Sequence, residues 1–179
     1  TFGNSGDNFS IRGFEQATIL RNGLRTTAGN LNGGFRETAH LEQVEVLRGP
    51  ASILYGNVEP GGLVNVTPKQ PLDTQFGAFT AQVGSYGFLR PTVDVTGPVN
   101  ESGTVRYRLN AAFERSDGFR DFETDVERTF VAPVIAFDIG DRTDLTLELE
   151  YLDDERPFDR GIPALGDEVA DVDRDTIIG

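Results

Sequence analysis

Cysteine, methionine and tryptophan are absent from this 179-residue chain, and histidine occurs once, as His40. Without cysteine there is neither a disulfide framework nor a thiolate metal site. A lone histidine excludes paired-histidine metal motifs such as HExxH. Basic residues are scarce too: 16 Lys and Arg against 29 Asp and Glu leave a formal charge of −13, with no basic tract. That balance argues against a nucleic-acid binder, which neutralises phosphates with clustered Lys and Arg. Long apolar runs are also missing. The longest, Val131 to Phe137, is interrupted by Pro133 and falls far short of the ~20 residues that a membrane helix needs. A membrane β-barrel escapes that test, because each of its strands needs only ~9 to 11 residues with alternate side chains facing lipid. No G-x-S-x-G elbow, Walker loop or nucleotide fingerprint occurs, which places an enzyme last among the function classes.

What is present changes character near residue 72. Residues 1–71 mix short β-type runs, at Phe9 to Phe14, Thr18 to Leu20, Gln43 to Leu47 and Leu63 to Thr67, with Asn-Gly, Gly-Pro and Gly-Gly punctuation. This predicts a small mixed α/β domain. Pro50 favours one helical turn over Ala51 to Tyr55, with Gly56 as its stop. Gly61 and Gly62 are placed for positive φ or for close approach of another backbone.

From Phe76 onward the apolar period becomes two, the mark of a sheet with unlike faces. Five antiparallel strands are expected, at 76–85, 88–96, 104–115, 127–139 and 144–153. In the third, Val105, Tyr107, Leu109, Ala111 and Phe113 alternate with Arg106, Arg108, Asn110, Ala112 and Glu114. In the fifth, Leu145, Leu147, Leu149 and Tyr151 alternate with Thr146, Glu148, Glu150 and Leu152. Alternation alone also fits a soluble sheet with one wet face. Long strands, aromatics near their ends (Tyr86, Phe88, Phe119, Phe122, Tyr151, Phe158) and short links alternating with a longer charged one favour a barrel wall. Five strands cannot close a barrel, for which about eight is the practical minimum, so the wall is read as incomplete and the chain as a fragment. The acidic run Asp153-Asp154-Glu155 offers oxygen ligands to Ca²⁺ but is read as solvated loop, and no metal site is assigned.

Several ordered motifs carry a resemblance. Ile11-Arg12-Gly13-Phe14, Arg21-Asn22-Gly23-Leu24, Glu45 to Gly56 and Pro60-Gly61-Gly62-Leu63-Val64-Asn65 are similar to the plug of TonB-dependent ferric-siderophore receptors. Gly84-Ser85-Tyr86-Gly87, Asp94-Val95-Thr96-Gly97-Pro98, Tyr107-Arg108-Leu109-Asn110 and Asp117-Gly118-Phe119-Arg120 resemble the opening barrel hairpins of the same family. Thr67-Pro68-Lys69 departs from the usual Val-Thr-Lys run at the exit from the plug.

The resemblance implies a plug domain over 1–71, lacking its amino-terminal part, and the first five strands of a transmembrane β-barrel over 72–179. The whole barrel would have on the order of 22 strands and lie in the outer membrane of a Gram-negative-type bacterium. It would bind a ferric siderophore and import it when TonB, engaged by strand addition to a segment upstream of this region, pulls on the plug. A receptor for another large scarce solute such as cobalamin, and a passive porin or adhesin barrel, are the alternatives. By the same resemblance, Arg12 and Arg48 match plug arginines that pair with barrel glutamates as a lock. Ligand contacts fall on the outward apices, at Glu15, Gln16 and Thr18 and at Asn30, Leu31 and Asn32. Tyr55 is a further aromatic contact or packs within the plug. No cofactor is implied.

Overall fold

The strand Gly62–Pro68 reads Gly-Leu-Val-Asn-Val-Thr-Pro, and such a run with little alternation suits a strand covered on both faces. In the computed structural model it is one of the two inner strands of a four-stranded sheet. The structure describes residues 10–15, 18–25, 36–49, 55–56, 60–118, 125–156, 164–165, 168–169 and 172–173. The chain divides into two compact units, Thr1–Lys69 and Gln70–Gly179.

The first unit opens with a minimal hairpin, β1 (Ser10–Ile11) and β2 (Phe14–Glu15). Arg12 and Gly13 form its turn with φ of 54° and 81°, the paired positive φ that a two-residue hairpin demands. The extended run expected over Phe9 to Phe14 is therefore folded back on itself, because Arg-Gly supplies turn chemistry inside it. A second sheet has the order β4-β3-β6-β5, with β3 (Thr18–Arg21), β4 (Leu24–Arg25), β5 (Leu41–Arg48) and β6 (Gly62–Pro68). β3 runs parallel to β6 and the other pairs are antiparallel. Leu20 and Leu63 are fully buried at its centre. Among the described residues this unit is built from strands. The helical turn expected over 51–55 lies outside them except for Tyr55, which is helical; the strands themselves mix parallel and antiparallel pairing.

The second unit is a meander of β7 (Phe76–Val83), β8 (Leu89–Pro98), β9 (Val105–Ser116), β10 (Val126–Asp138), β11 (Asp144–Glu148) and β12 (Tyr151–Glu155), every pair antiparallel. From β7 to β11 each strand pairs with its sequence neighbour, as short links between long alternating segments require. β7 to β10 lie within two residues of their expected bounds. The single strand expected at 144–153 appears as two pieces, both paired to β10. The reason is Pro133. It faces the gap between the pieces and has no N–H to give, although its carbonyl accepts Leu149 N–H at 3.1 Å. The register is unbroken across the gap, with Ile135 opposite Leu147 and Val131 opposite Tyr151. Asp153, Asp154 and Glu155, expected as loop, sit in β12. A short pair, β13 (Ala164–Leu165) and β14 (Glu168–Val169), completes the described elements.

Candidate functional site

In the first unit the glycines fix the geometry. A Cβ on Gly61 would overlap the Ile11 carbonyl and lie 2.9 Å from the Phe14 ring, and one on Gly62, whose φ is 144°, would overlap the Leu47 carbonyl. The β1–β2 hairpin can thus rest directly on the start of β6 only because side chains are missing there. Gly49 N–H donates to the Gly61 carbonyl at 3.1 Å and closes the same corner.

This corner gathers the two predicted lock residues. Arg12 Nη1 lies 3.6 Å from where a Cβ on Gly49 would be, so its guanidinium reaches the residue next to Arg48. Both arginines are exposed, and among the described residues neither has an ion-pair partner. Each is thus a guanidinium open to an acidic partner.

The opposite end of β6 is tied by polar groups. Asn65 is buried; its Oδ1 accepts Gly23 N–H at 2.9 Å and its Nδ2 donates to Glu45 Oε2 at 3.1 Å. One side chain thereby joins the Asn22-Gly23 turn to β5. Glu37, also buried, accepts the backbone N–H groups of Thr38 and Ala39 at 2.7 Å each. Lys69 Nζ donates to the Ala39 carbonyl at 2.8 Å, fastening the last residue of the unit to that turn.

Of the predicted ligand contacts, Tyr55 is half-buried, and its ring is 4.0 Å from a would-be Cβ on Gly23. The Glu15 and Thr18 backbones lie in β2 and β3. Gln16, Asn30, Leu31 and Asn32 lie outside the described residues.

The second unit sorts its side chains in a way that sequence reasoning saw only in outline. On one face Phe79 stands opposite Val93, Val95 opposite Leu109, Tyr107 opposite Ile135, and Ile135 opposite Leu147. This face is apolar across all the long strands and is exposed or half-buried: Phe79 is 70% accessible and Leu149 65%. The other face holds the charges, and they are the better buried. Arg108 is 6% accessible, Asn110 1% and Thr96 0%. Phe130, Ala132, Val134 and Ala136 of β10 fill the space between them.

The polar face is internally neutralised. Arg108 grips Asp94 with two parallel bonds, Nε to Oδ1 at 2.9 Å and Nη2 to Oδ2 at 2.8 Å, the fork-to-carboxylate geometry that compensates desolvation best. One cross-strand row runs Gln82, Arg90, Glu114, Arg128, Asp154. Arg90 donates to Gln82 at 3.2 Å and pairs with Glu114 at 3.3 Å, and Arg128 donates to Asp154 at 2.6 Å. Arg156 joins the same Asp154 carboxylate. Asp154 is therefore an ion-pair partner of two arginines rather than a calcium ligand, and among the described residues no metal-binding cluster of His, Cys, Asp or Glu occurs.

Sequence reasoning missed a second cluster, where residues 70–75 cross this polar face. Arg108 Nη1 donates to the Gln70 carbonyl at 2.8 Å. Thr96 Oγ1 accepts Leu72 N–H at 3.0 Å while donating to the Tyr107 carbonyl at 2.7 Å. Gln75 Nε2 donates to the Pro98 carbonyl at 3.2 Å, and Asp73 pairs with Arg106. The alternation in β9 marks Arg108 as polar-facing, but its partners emerge only once the register of β8 and β9 is known.

Comparison with known proteins gives this arrangement its context. Residues 1–63 match the TonB-dependent receptor plug domain. The metal-pseudopaline receptor CntO of Pseudomonas aeruginosa is 39% identical over 143 residues, covering 80% of this chain and 20% of that protein. The catecholate siderophore receptor Fiu of Escherichia coli K12 is 34% identical over 168 residues, covering 92% and 21%. The chain thus spans about a fifth of the length of these curated relatives. Among solved structures, the pyoverdine outer membrane receptor FpvA of Pseudomonas aeruginosa bound to pyoverdine superposes with a TM-score of 0.77 at 29% identity, over 86% of this chain and 23% of that one. The closed form of the ferric-catecholate import receptor Fiu gives 0.76 at 34% identity, over 89% and 22%.

Proposed function

Because this chain is a homologue of the TonB-dependent siderophore receptors, we propose that it forms the plug and the first wall strands of an outer-membrane receptor that binds a ferric siderophore and imports it with TonB. The assignment of 1–71 to a plug and of 72–179 to the first five wall strands is supported by the plug match over 1–63 and by the division into compact units at Lys69 and Gln70.

One observation carries the reading: across β8 to β10 the apolar row is the more accessible, and the row with Thr96, Arg108, Asn110 and Arg128 is the buried one. In water that arrangement leaves a large greasy surface bare. In a bilayer the apolar row meets acyl chains, and the ion-paired polar row lines the lumen. The work is transport, with no bond made or broken in the cargo. The relatives' names span metal-pseudopaline, catecholate, ferrichrome and ferripyoverdine chelates, so the proposed cargo class is the ferric siderophore in general. The test is uptake of radio-iron by cells grown under iron limitation, offered a panel of such chelates. Deleting the full-length gene abolishes uptake of at least one chelate, and deleting TonB does the same; uptake unaffected by either deletion removes the proposal.

Within this function Arg12 and Arg48 serve as the cationic half of a plug lock whose acidic half lies on the wall. The reach of Arg12 to Gly49, next to Arg48 in the chain, and the exposure of both support that role. The apical residues Glu15, Gln16, Thr18, Asn30, Leu31, Asn32 and Tyr55 are proposed ligand contacts, Tyr55 by its ring.

A further inference from the structure

We propose that residues 70–75 are a fixed tether, clamped to the polar side of the wall by Arg108 and Thr96, so that any rearrangement of the plug during uptake ends at Lys69. The inference rests on the receptor reading above and adds to it a boundary between the part that moves and the part that stays.

The segment has no regular secondary structure, yet its anchors recur every two or three residues. The Gln70 carbonyl is held by Arg108, Leu72 N–H by Thr96, and the Gln75 amide by the Pro98 carbonyl. Asp73 pairs with Arg106, and Gln70 Nε2 donates to Glu148 Oε1 at 2.9 Å. An irregular strip bound only by its own backbone would fray, since loops lie at the low end of local stability. This one is bonded to side chains of β8, β9 and β11.

Each anchor is prepared in advance. Asp94 engages two of the Arg108 nitrogens and so aims the third at Gln70. A lysine cannot do both, because its ammonium lacks the rigid fork. The Thr96 hydroxyl donates to one backbone and accepts from another, which valine of the same shape cannot do. Gly97 leaves room for the tether, since a Cβ there would lie 2.5 Å from the Gln75 amide carbon. Pro71 restricts Gln70 to extended backbone, which keeps its carbonyl turned toward Arg108. Arg108 and Thr96 are positioning residues: they hold chain and touch no cargo.

The experiment is amide exchange on the full-length receptor in detergent, comparing the unsubstituted protein with Thr96→Val and Arg108→Lys. Thr96→Val speeds exchange at Leu72 by about tenfold, the loss of one neutral hydrogen bond, and Arg108→Lys speeds the 70–75 segment by at least that much, while the β9–β10 ladder keeps its protection. Unchanged exchange over 70–75 in both variants overturns the clamp, and Thr96→Val alone decides it if Arg108→Lys does not assemble. A second arm joins the tether to the wall as a disulfide through Gln75→Cys with Gly97→Cys. The oxidised receptor still takes up the chelate as its reduced form does. Uptake that is blocked by the crosslink and restored by reductant shows that the tether must leave the wall, and overturns the inference. Loss of uptake in the unsubstituted receptor strikes the receptor reading instead, and the exchange arm still decides the clamp.

Discussion

The two units use opposite means to hold strands together. In the first, the β3–β6 and β5–β6 ladders are closed at one corner by the bare backbones of Gly61 and Gly62 and braced by single links such as Asn65. In the second, long strands pair along extended antiparallel ladders, and cross-strand ion pairs span one face. Where a corner depends on backbones in direct approach, one added side chain disturbs every strand that meets there. A meander distributes its cohesion along every ladder, and a local loss stays local. On the receptor reading proposed above, the difference suits a first unit that rearranges and a second that does not.

That contrast can be broken on either side. The largest effect is expected for Leu147→Arg, which puts a charge on the apolar row at a cost of about 2 to 4 kcal/mol if the row faces the middle of the bilayer; assembly into outer membranes, measured by heat-modifiable migration, falls accordingly. Normal assembly of that variant argues for a water-facing row. Gly62→Ala comes next, at about 3 kcal/mol from overpacking against the Leu47 carbonyl together with an unfavourable φ. Amide exchange should rise throughout the first unit and stay unchanged in β8 to β10, and a rise in both units erases the distinction drawn here. Asn65→Ala removes two bridges and costs about 1 to 3 kcal/mol, read as faster exchange at Gly23 and across β5. The smallest effect is a gain: Tyr86 has φ of 56° in the tight turn between β7 and β8, and Tyr86→Asn should stabilise the turn by up to about 1 kcal/mol, seen as a raised unfolding midpoint.

How far the sequence could be read follows the same division. Period-two alternation gave β7 to β10 because each wall strand carries its own signal and pairs with its neighbour. The break at Leu149 and Glu150 was less accessible. Its cause, Pro133, lies in the adjacent strand and acts only through the register. In the plug, the glycine pair at Gly61 and Gly62 was legible as a site of close approach, but what approaches, Ile11 and Phe14, is some fifty positions upstream. Arg12 and Arg48 were picked out by motif, and the reach of Arg12 to Gly49 required the hairpin to fold. Arg108 and Thr96 escaped notice for a related reason: alternation assigns a residue to a face, whereas a bond to Gln70 or Leu72 depends on where a patternless segment is laid.

The outermost strands of the meander, β7 on one side and β11 with β12 on the other, each present a backbone edge with no described neighbour. A preparation of these 179 residues alone therefore carries two adhesive seams beside a greasy face. In plain buffer such seams recruit copies of themselves into ribbons, so work on this stretch by itself calls for refolding in micelles and for a lysine placed on β7 to blunt the seam.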